Sequence, residues 1–543
     1  MLTAAALACA GPALALAADQ TPADRADPSV AAEELGEEKP DRPRQRTVIE
    51  PPAQASGSDL GEPVLAGAIR IEGADAVPQA AFAPVVERYA GRTLAPDELR
   101  ALASDVAAVA REAGFGLATA WIPPQRIENG VLRVQLDEGA VDAVEVTGTG
   151  RAAAEPRLAP LADGKPLRTS ELERRLLIAG DAAGVSLGKA RLIRNRGRNI
   201  LVVAAARDRV TARAGLDNWG TSTSGPVRAR LSADINGLAA ADDRLTVGAV
   251  VTPLQPQEFA LVRAAYTAAI GTDGTEITVG GYAARSEAGG PLADRDLDGK
   301  STEIEADVRH PLVRTREASL WASAGTRLRD SSQTRADELV RDDRLTTLIA
   351  SLYGYRRLEN GRIRGRVALV QGVDLFGATD EGDPLASRRN ADGQFTKLEL
   401  WGEYEQRLGY NLSFLFQAEG QLASGALLSS EEMGLGGRWF GRAWDYREFS
   451  GDRGVAGAFE LRWDWKKKMA FIEAAQLYGY VDAGTVSNFG TGTGGGSLAS
   501  VGGGLRLWLP GRVMGSLEVG VPLTRGADAD NDPRVSVTVD KRF

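Results

Sequence analysis

The chain is poor in the residues that carry most enzyme chemistry. Its 543 residues hold one histidine, one cysteine and four methionines. With His310 alone, a histidine metal site has a single imidazole, and a nucleophile triad has only that residue to build on. Cys9 lies in the apolar N-terminal segment, so a processed chain has neither a disulfide framework nor a cysteine–metal site. No run of 18 apolar residues follows the first twenty, which argues against a helical membrane span. A basic stripe is missing too. Net charge is −9, with arginines and carboxylates interspersed, so no nucleic-acid partner is expected. There is no G-x-S-x-G. "GVSLGKA" (184–190) is one residue short of a P-loop and has Ala190 where Ser or Thr should follow Lys189, so it reads as a turn. Acidic residues are everywhere, but no spacing singles out an acid/base pair. Neither enzyme activity nor a cofactor or metal is expected. What the chain has in quantity is glycine, 63 residues, which favours turn-rich β structure over a helical bundle.

The N-terminal "MLTAAALACAGPALALAADQ" is apolar and small, and Ala15-Leu16-Ala17 fits an A-x-A cleavage site. A signal peptide is expected over 1–18. Residues 19–61, with "EEKPDRPRQR" and "PPAQASGSD", cannot bury a core and read as a disordered linker, with one possible short helix in "SVAAEELGEE". From Val64 the pattern changes. "VLAGAIRIEG" alternates as a strand, helices follow near 79–90 and 97–113, and "FGLATAWIP" and "GVLRVQLDEG" read as strands. The order then recurs: strand "VDAVEVTG", helix "SELERRLLIAGDA", strands "KARLIRN" and "NILVVAAARD". Gly91-x-x-Leu94-x-x-x-Glu98-Leu99 is matched by Gly164-x-x-Leu167-x-x-x-Glu171-Leu172. Two β-α-α-β-β modules, 62–138 and 139–208, are therefore expected.

Over 209–543 helical periodicity disappears, and about sixteen alternating segments follow. In "GVAGAFELRWDW", Val455, Phe459, Leu461, Trp463 and Trp465 share one face, while Ala456, Ala458, Glu460 and Asp464 share the other. In "RVSVTVDKRF", Val535, Val537 and Val539 oppose Ser536, Thr538 and Asp540. Strands of this kind, in this number, fit an antiparallel transmembrane β-barrel with lipid outside and a polar lumen. Closure removes the open edges that so many strands would otherwise expose. Trp219, Trp401, Trp465 and Trp508 are expected in interfacial girdles. "DLFGATDEGDPLASRRNADG" and "NFGTGTGGG" read as long extracellular loops, "LPGR" and "RLGYN" as periplasmic turns.

One segment resists this plain reading. "GGRWFGRAWDYREFSGDRG" (436–454) has too much glycine for a helix and too many aromatics for a solvated loop. Trp439, Phe440, Trp444 and Phe449 are costly to leave in water, so the segment is expected to fold into the lumen. A buried arginine there needs a partner. "LYGYVDAGTV", with Asp482 between Gly479 and Gly484, offers one.

Modules of this kind ahead of a barrel resemble POTRA domains followed by a two-partner secretion transporter (TpsB) of the haemolysin secretion/activation type (ShlB/FhaC/HecB-like). "GGRWFGRAWDYREFSGDRGVAG" resembles that family's sixth-loop signature, although Arg442-Ala443-Trp444 stands where R-G-[FY] is usual. Val481-Asp482-Ala483-Gly484 resembles its late-strand V/F-D-x-G motif. The resemblance implies an Arg442–Asp482 lock on the loop, with Gly437, Gly441 and Gly484 as spacers and Trp444 as packing. A charge swap of the pair is then expected to recover part of what its loss removes. Phe543 resembles the C-terminal signal read by the barrel-insertion machinery. The implied function is export of a large secreted partner protein (TpsA adhesin or haemolysin type) across the outer-membrane lipid. An unfolded client would be captured on a module edge, with "FGLATAW" and "VDAVEV" as equal candidates. An assembly factor of the same superfamily and a passive porin are the alternatives.

Overall fold

The computed structural model describes residues 27–29, 32, 49–50 and 62–543, apart from 196–197, 468, 470, 491–494 and 528–531. The expected signal peptide lies outside the described residues.

Two small α/β units come first. In the first, a parallel strand pair (Ala68–Glu72 with Val131–Asp137) is extended by Thr119–Trp121, and helices Ala83–Tyr89 and Pro96–Glu112 cover the sheet. The longer helix starts as its sequence dictates. Pro96 occupies the first turn, and the Glu98 carboxylate accepts the Ala95 N–H at 2.9 Å. Leu99, Leu102 and Val106 are fully buried against Leu132 and Val134. The second unit has strands Ala143–Thr147, Val185–Asn195 and Arg198–Arg207 beneath helices Arg151–Leu158 and Thr169–Gly180. Helix Arg151–Leu158 has no clear apolar periodicity and carries Pro156, which explains why the alternation around it is legible and the helix is not.

Sixteen antiparallel strands, from Val210–Asp217 to Arg534–Arg542, close into a barrel. Alternation sets the two faces. Val455, Phe459 and Leu461 are exposed on the outside, while Ala456, Ala458 and Glu460 are buried inside. Likewise Val535, Val537 and Val539 point outward, and Ser536 and Thr538 inward. Of the tryptophans expected in girdles, Trp465 lies outside beside Trp463, with ring centroids 5.6 Å apart. Trp219 instead is buried in the first connecting loop, Trp401 shares the inward face of Glu399 and Glu403, and Trp508 shares the face of Arg506. These three hold lumen arginines rather than lipid, or sit on the arginine-bearing face. Arg534 stacks over Trp219 and Arg364 over Trp401.

The wall is uneven. Strands Leu297–Arg314, Ala318–Arg335 and Glu338–Arg357 run far past the 9–11 residues that span a bilayer, whereas the first strand has eight. The extra length stands on the side away from the modules, because Glu338–Thr346 continues beyond the end of its ladder with Gly361–Gly372.

The second module is bolted to the barrel's near-side turns. The buried Arg157 donates through Nε to Asp242 at 2.6 Å and through Nη1 to the Ile178 carbonyl. Arg314 makes a two-point contact with Asp181 (2.7 and 2.6 Å), and Arg175 pairs with Asp273 at 2.7 Å.

Part of the 19–61 segment read as disordered linker is built into the structure. Asp27, Ser29 and Ala32 are buried inside the barrel; residues 28–29 and 32 are helical. Ser331 donates to Asp27 at 3.0 Å, and Ala32 packs with Val250, Phe259 and Leu261. Ile49–Glu50 pairs in parallel with Ala190 and Arg191, adding a strand to the second module. Composition misleads at Asp27 and Ser29 because their polar groups meet a polar lumen rather than an apolar core.

Candidate functional site

The eleventh strand (Leu412–Ala423) and the twelfth (Arg453–Trp465) are joined by a long loop, 424–452, on the side away from the modules. It turns inward through a short hairpin, Met433–Leu435 with Phe449–Gly451, whose tip fills part of the lumen. Apolar packing seats it. Trp444 is buried with Leu435, Phe440, Ala443, Ala456 and Leu498. Gly441 has φ +70°, and Gly437 φ +90°, with the Trp444 carbonyl accepting the Gly437 N–H at 3.1 Å. At Gly484 on the wall, a Cβ would lie 2.6 Å from Leu435 Cδ2 and 2.9 Å from Ala456 Cβ, so only glycine lets the loop approach.

Arg442 sits at the tip, buried among three wall carboxylates. Nη1 is 3.1 Å from Glu460 and 3.4 Å from Glu518, and Nε is 3.8 Å from Asp482. The guanidinium lies 4.2 Å from the centre of the Tyr480 ring. Asp482 thus meets the arginine at longer range than the other two. Its main work is on the loop backbone. Oδ1 accepts the Gly441 N–H at 2.9 Å and the Ser500 hydroxyl at 2.6 Å, and Oδ2 accepts the Arg442 N–H at 3.4 Å. The carboxylates are themselves tied to the wall: Arg506 pairs with Glu460 at 2.7 Å, and Tyr478 donates to Glu518 at 2.6 Å.

Further ion pairs hold the base of the loop. Glu431 meets Lys397 at 2.8 Å and Arg329 at 3.2 Å. Arg388, from the preceding long connection, reaches both Glu432 and Asp452 at 2.6 Å. Sequence reasoning named Arg442 and Asp482 but missed Glu460, Glu518 and Tyr480. An acidic residue on the polar side of an alternating strand looks like every other; only its closeness to the loop in space marks it. The terminal Phe543 is exposed at the module end of the barrel, its N–H donating to the Ala212 carbonyl at 2.9 Å. His310 Nδ1 is 2.8 Å from the Thr275 hydroxyl, on the wall near the second module.

Comparison with known proteins agrees with this geometry. The family model described as haemolysin secretion/activation protein ShlB/FhaC/HecB matches residues 197–507, and a ShlB-type POTRA domain model matches 66–139. The heme/hemopexin transporter protein HuxB of Haemophilus influenzae strain 86-028NP is 23% identical over 370 residues, covering 66% of this chain. That alignment spans 64% of the relative's length. CdiB from Escherichia coli superposes with a TM-score of 0.72 at 18% identity, over 96% of this chain and 99% of that one. CdiB from Acinetobacter baumannii gives 0.65 at 15% identity, over 95% and 97%. BamA from Haemophilus ducreyi lacking POTRA domains 1–3 gives 0.53 at 11% identity, over 89% and 100%. Matched over more than half its length by one family model, the chain belongs to the haemolysin secretion/activation (ShlB/FhaC/HecB) family, as an outer-membrane barrel carrying POTRA structure in the periplasm.

Proposed function

We propose that this protein exports a large partner protein, of the TpsA adhesin or haemolysin type, from the periplasm to the cell surface through its barrel. The observation that carries the reading is the lumen itself: a closed polar cylinder occupied by a loop seated on buried ion pairs, with two small α/β modules at its periplasmic mouth. On this reading residues 62–138 and 139–208 are two POTRA modules. An unfolded client adds a strand to one of their edges, gaining main-chain hydrogen bonds with little demand on sequence. The Val185–Asn195 edge already carries Ile49–Glu50, which leaves Ala143–Thr147, within "VDAVEV", as the second module's open edge among the described residues.

The loop around Arg442 then controls the pore, and the client crosses as an extended chain. Folding outside, which buries the client's own apolar surface, supplies the drive. Phe543 serves as the insertion signal.

HuxB is described as a heme/hemopexin transporter protein; the cargo proposed here is a secreted partner protein of the TpsA type. The test is to coexpress the protein with a candidate TpsA-type exoprotein and delete 64–208. An exporter stops secreting, whereas a passive porin still conducts as before. Unchanged secretion by the deletion variant defeats the proposal. Accumulation of other barrel proteins in the periplasm, with secretion intact, favours an assembly factor.

A further inference from the structure

The barrel closes between its first strand (Val210–Asp217) and its last (Arg534–Arg542), and this ladder is the shortest in the wall. It runs from Arg213 opposite Arg542 to Asp217 opposite Thr538 and then stops, although the last strand continues outward to Arg534. One more main-chain bond follows, the Asn218 N–H donating to the Val537 carbonyl at 3.3 Å, and beyond it the main chain leaves the sheet. Side chains take over the pairing. Asn218 acts as a substitute peptide: its Nδ2 donates to the Val535 carbonyl at 2.8 Å, and its Oδ1 accepts the Val537 N–H at 2.7 Å. Arg534 then reaches back across the seam through Nη2 to the carbonyls of Asn218 and Gly220, both at 3.3 Å, with its guanidinium over Trp219.

The infolded loop completes this clasp. Asp445, three residues after Arg442, accepts Arg534 Nη1 on Oδ1 at 2.6 Å and the Ser222 N–H on Oδ2 at 2.8 Å. One carboxylate therefore touches both sides of the closure: the last strand through Arg534, and the loop after the first strand through Ser222. A cleft of about 470 Å³, lined by Asn218, Ser222, Gln255, Glu258 and Arg534, opens beside it and gives the side chain room to leave.

We propose that Asp445 is a positioning residue that couples the seat of the infolded loop to the barrel seam. While the loop is in place, Asp445 holds Arg534 and Ser222 together. When the loop withdraws, the Asn218 and Arg534 contacts are what hold the outer part of the seam among the described residues, and the last strand is free to part from the first, from Val535 down through the short ladder. The seam thus opens as a consequence of loop movement, and the loop is stabilised in turn by a closed seam.

Channel recording on the purified full-length protein in planar bilayers tests this without reference to export, in a Cys9→Ser background. Charge-assisted hydrogen bonds of this kind contribute enough that Asp445→Ala should raise open-channel events about tenfold. Asp445→Glu should restore most of the quiet state. The deciding variant adds Leu216→Cys and Val539→Cys, which face each other in the seam ladder. Oxidation should return the Asp445→Ala channel to the parent level, and reductant should reopen it. If the oxidised, stapled Asp445→Ala protein conducts as freely as the unstapled one, the loop acts alone and the proposal falls. It falls equally if Asp445→Ala is as quiet as the parent. Arg534→Gln removes the same pair from the other side, and must show the same dependence on the staple should Asp445→Ala not give a heat-modifiable barrel.

Discussion

Arg442 is the guanidinium that Glu518 and Asp482 meet, while Glu460 also meets Arg506 and Arg462, and that asymmetry decides how its variants behave. Removing it takes that cation away from the buried Glu518 and Asp482, and breaking a buried charge set from one side costs about 3–5 kcal/mol. Arg442→Ala is therefore expected to unseat the loop while the sixteen-strand wall survives. Heat-modifiable migration on gels should persist, and secretion of the partner should fall to a small fraction of the parent. Normal secretion by that variant would remove the loop from the mechanism. Geometry also revises the expectation of a charge swap. Asp482 accepts two loop N–H groups and the Ser500 hydroxyl, none of which an arginine can replace as acceptor. Arg442→Asp with Asp482→Arg should recover no secretion over Arg442→Ala. Gly484→Leu should mimic Arg442→Ala without touching charge, because its side chain would occupy the space of Leu435 and Ala456. Secretion assays on the three variants check both statements.

At the scale of elements, the lumen seat of the helical residues near Asp27 is the feature that composition hid. It lies against the lumen wall, with Pro28 Cδ 2.5 Å from where a Cβ of Gly299 would stand. A Pro28→Cys, Gly299→Cys pair should form a disulfide that keeps this segment in the pore. Secretion should drop under oxidising conditions and recover with reductant; insensitivity to reductant would show that the segment does not have to move. The strands were legible because a two-residue period survives any tertiary context: lipid and lumen enforce it along "GVAGAFELRWDW" and "RVSVTVDKRF". The loop was legible as inward-folding because its aromatics have nowhere else to go. Its full set of partners was not. Glu460 and Glu518 lie in separate strands, and nothing in their local sequence tells them from solvated carboxylates. Asp445 was hidden for the same reason, and helix Arg151–Leu158 by its weak periodicity and internal proline.

At the scale of the molecule, the second module and the barrel form a joint made of arginines. Arg157 is almost wholly buried, and Asp242 also accepts the Ala183 N–H, so Arg157→Ala should loosen the joint at both contacts. Limited proteolysis between 139 and 208 should become faster, while the barrel keeps its resistance to heat and detergent. Equal cleavage rates would mean that Arg314 and Arg175 suffice. The uneven wall has a consequence of its own. Three neighbouring strands rise well above the membrane, while the first strand, beside the seam, ends low. The mouth therefore has a tall back and a low lip at the seam, and on the export reading a chain leaves over that lip, beside Asp445.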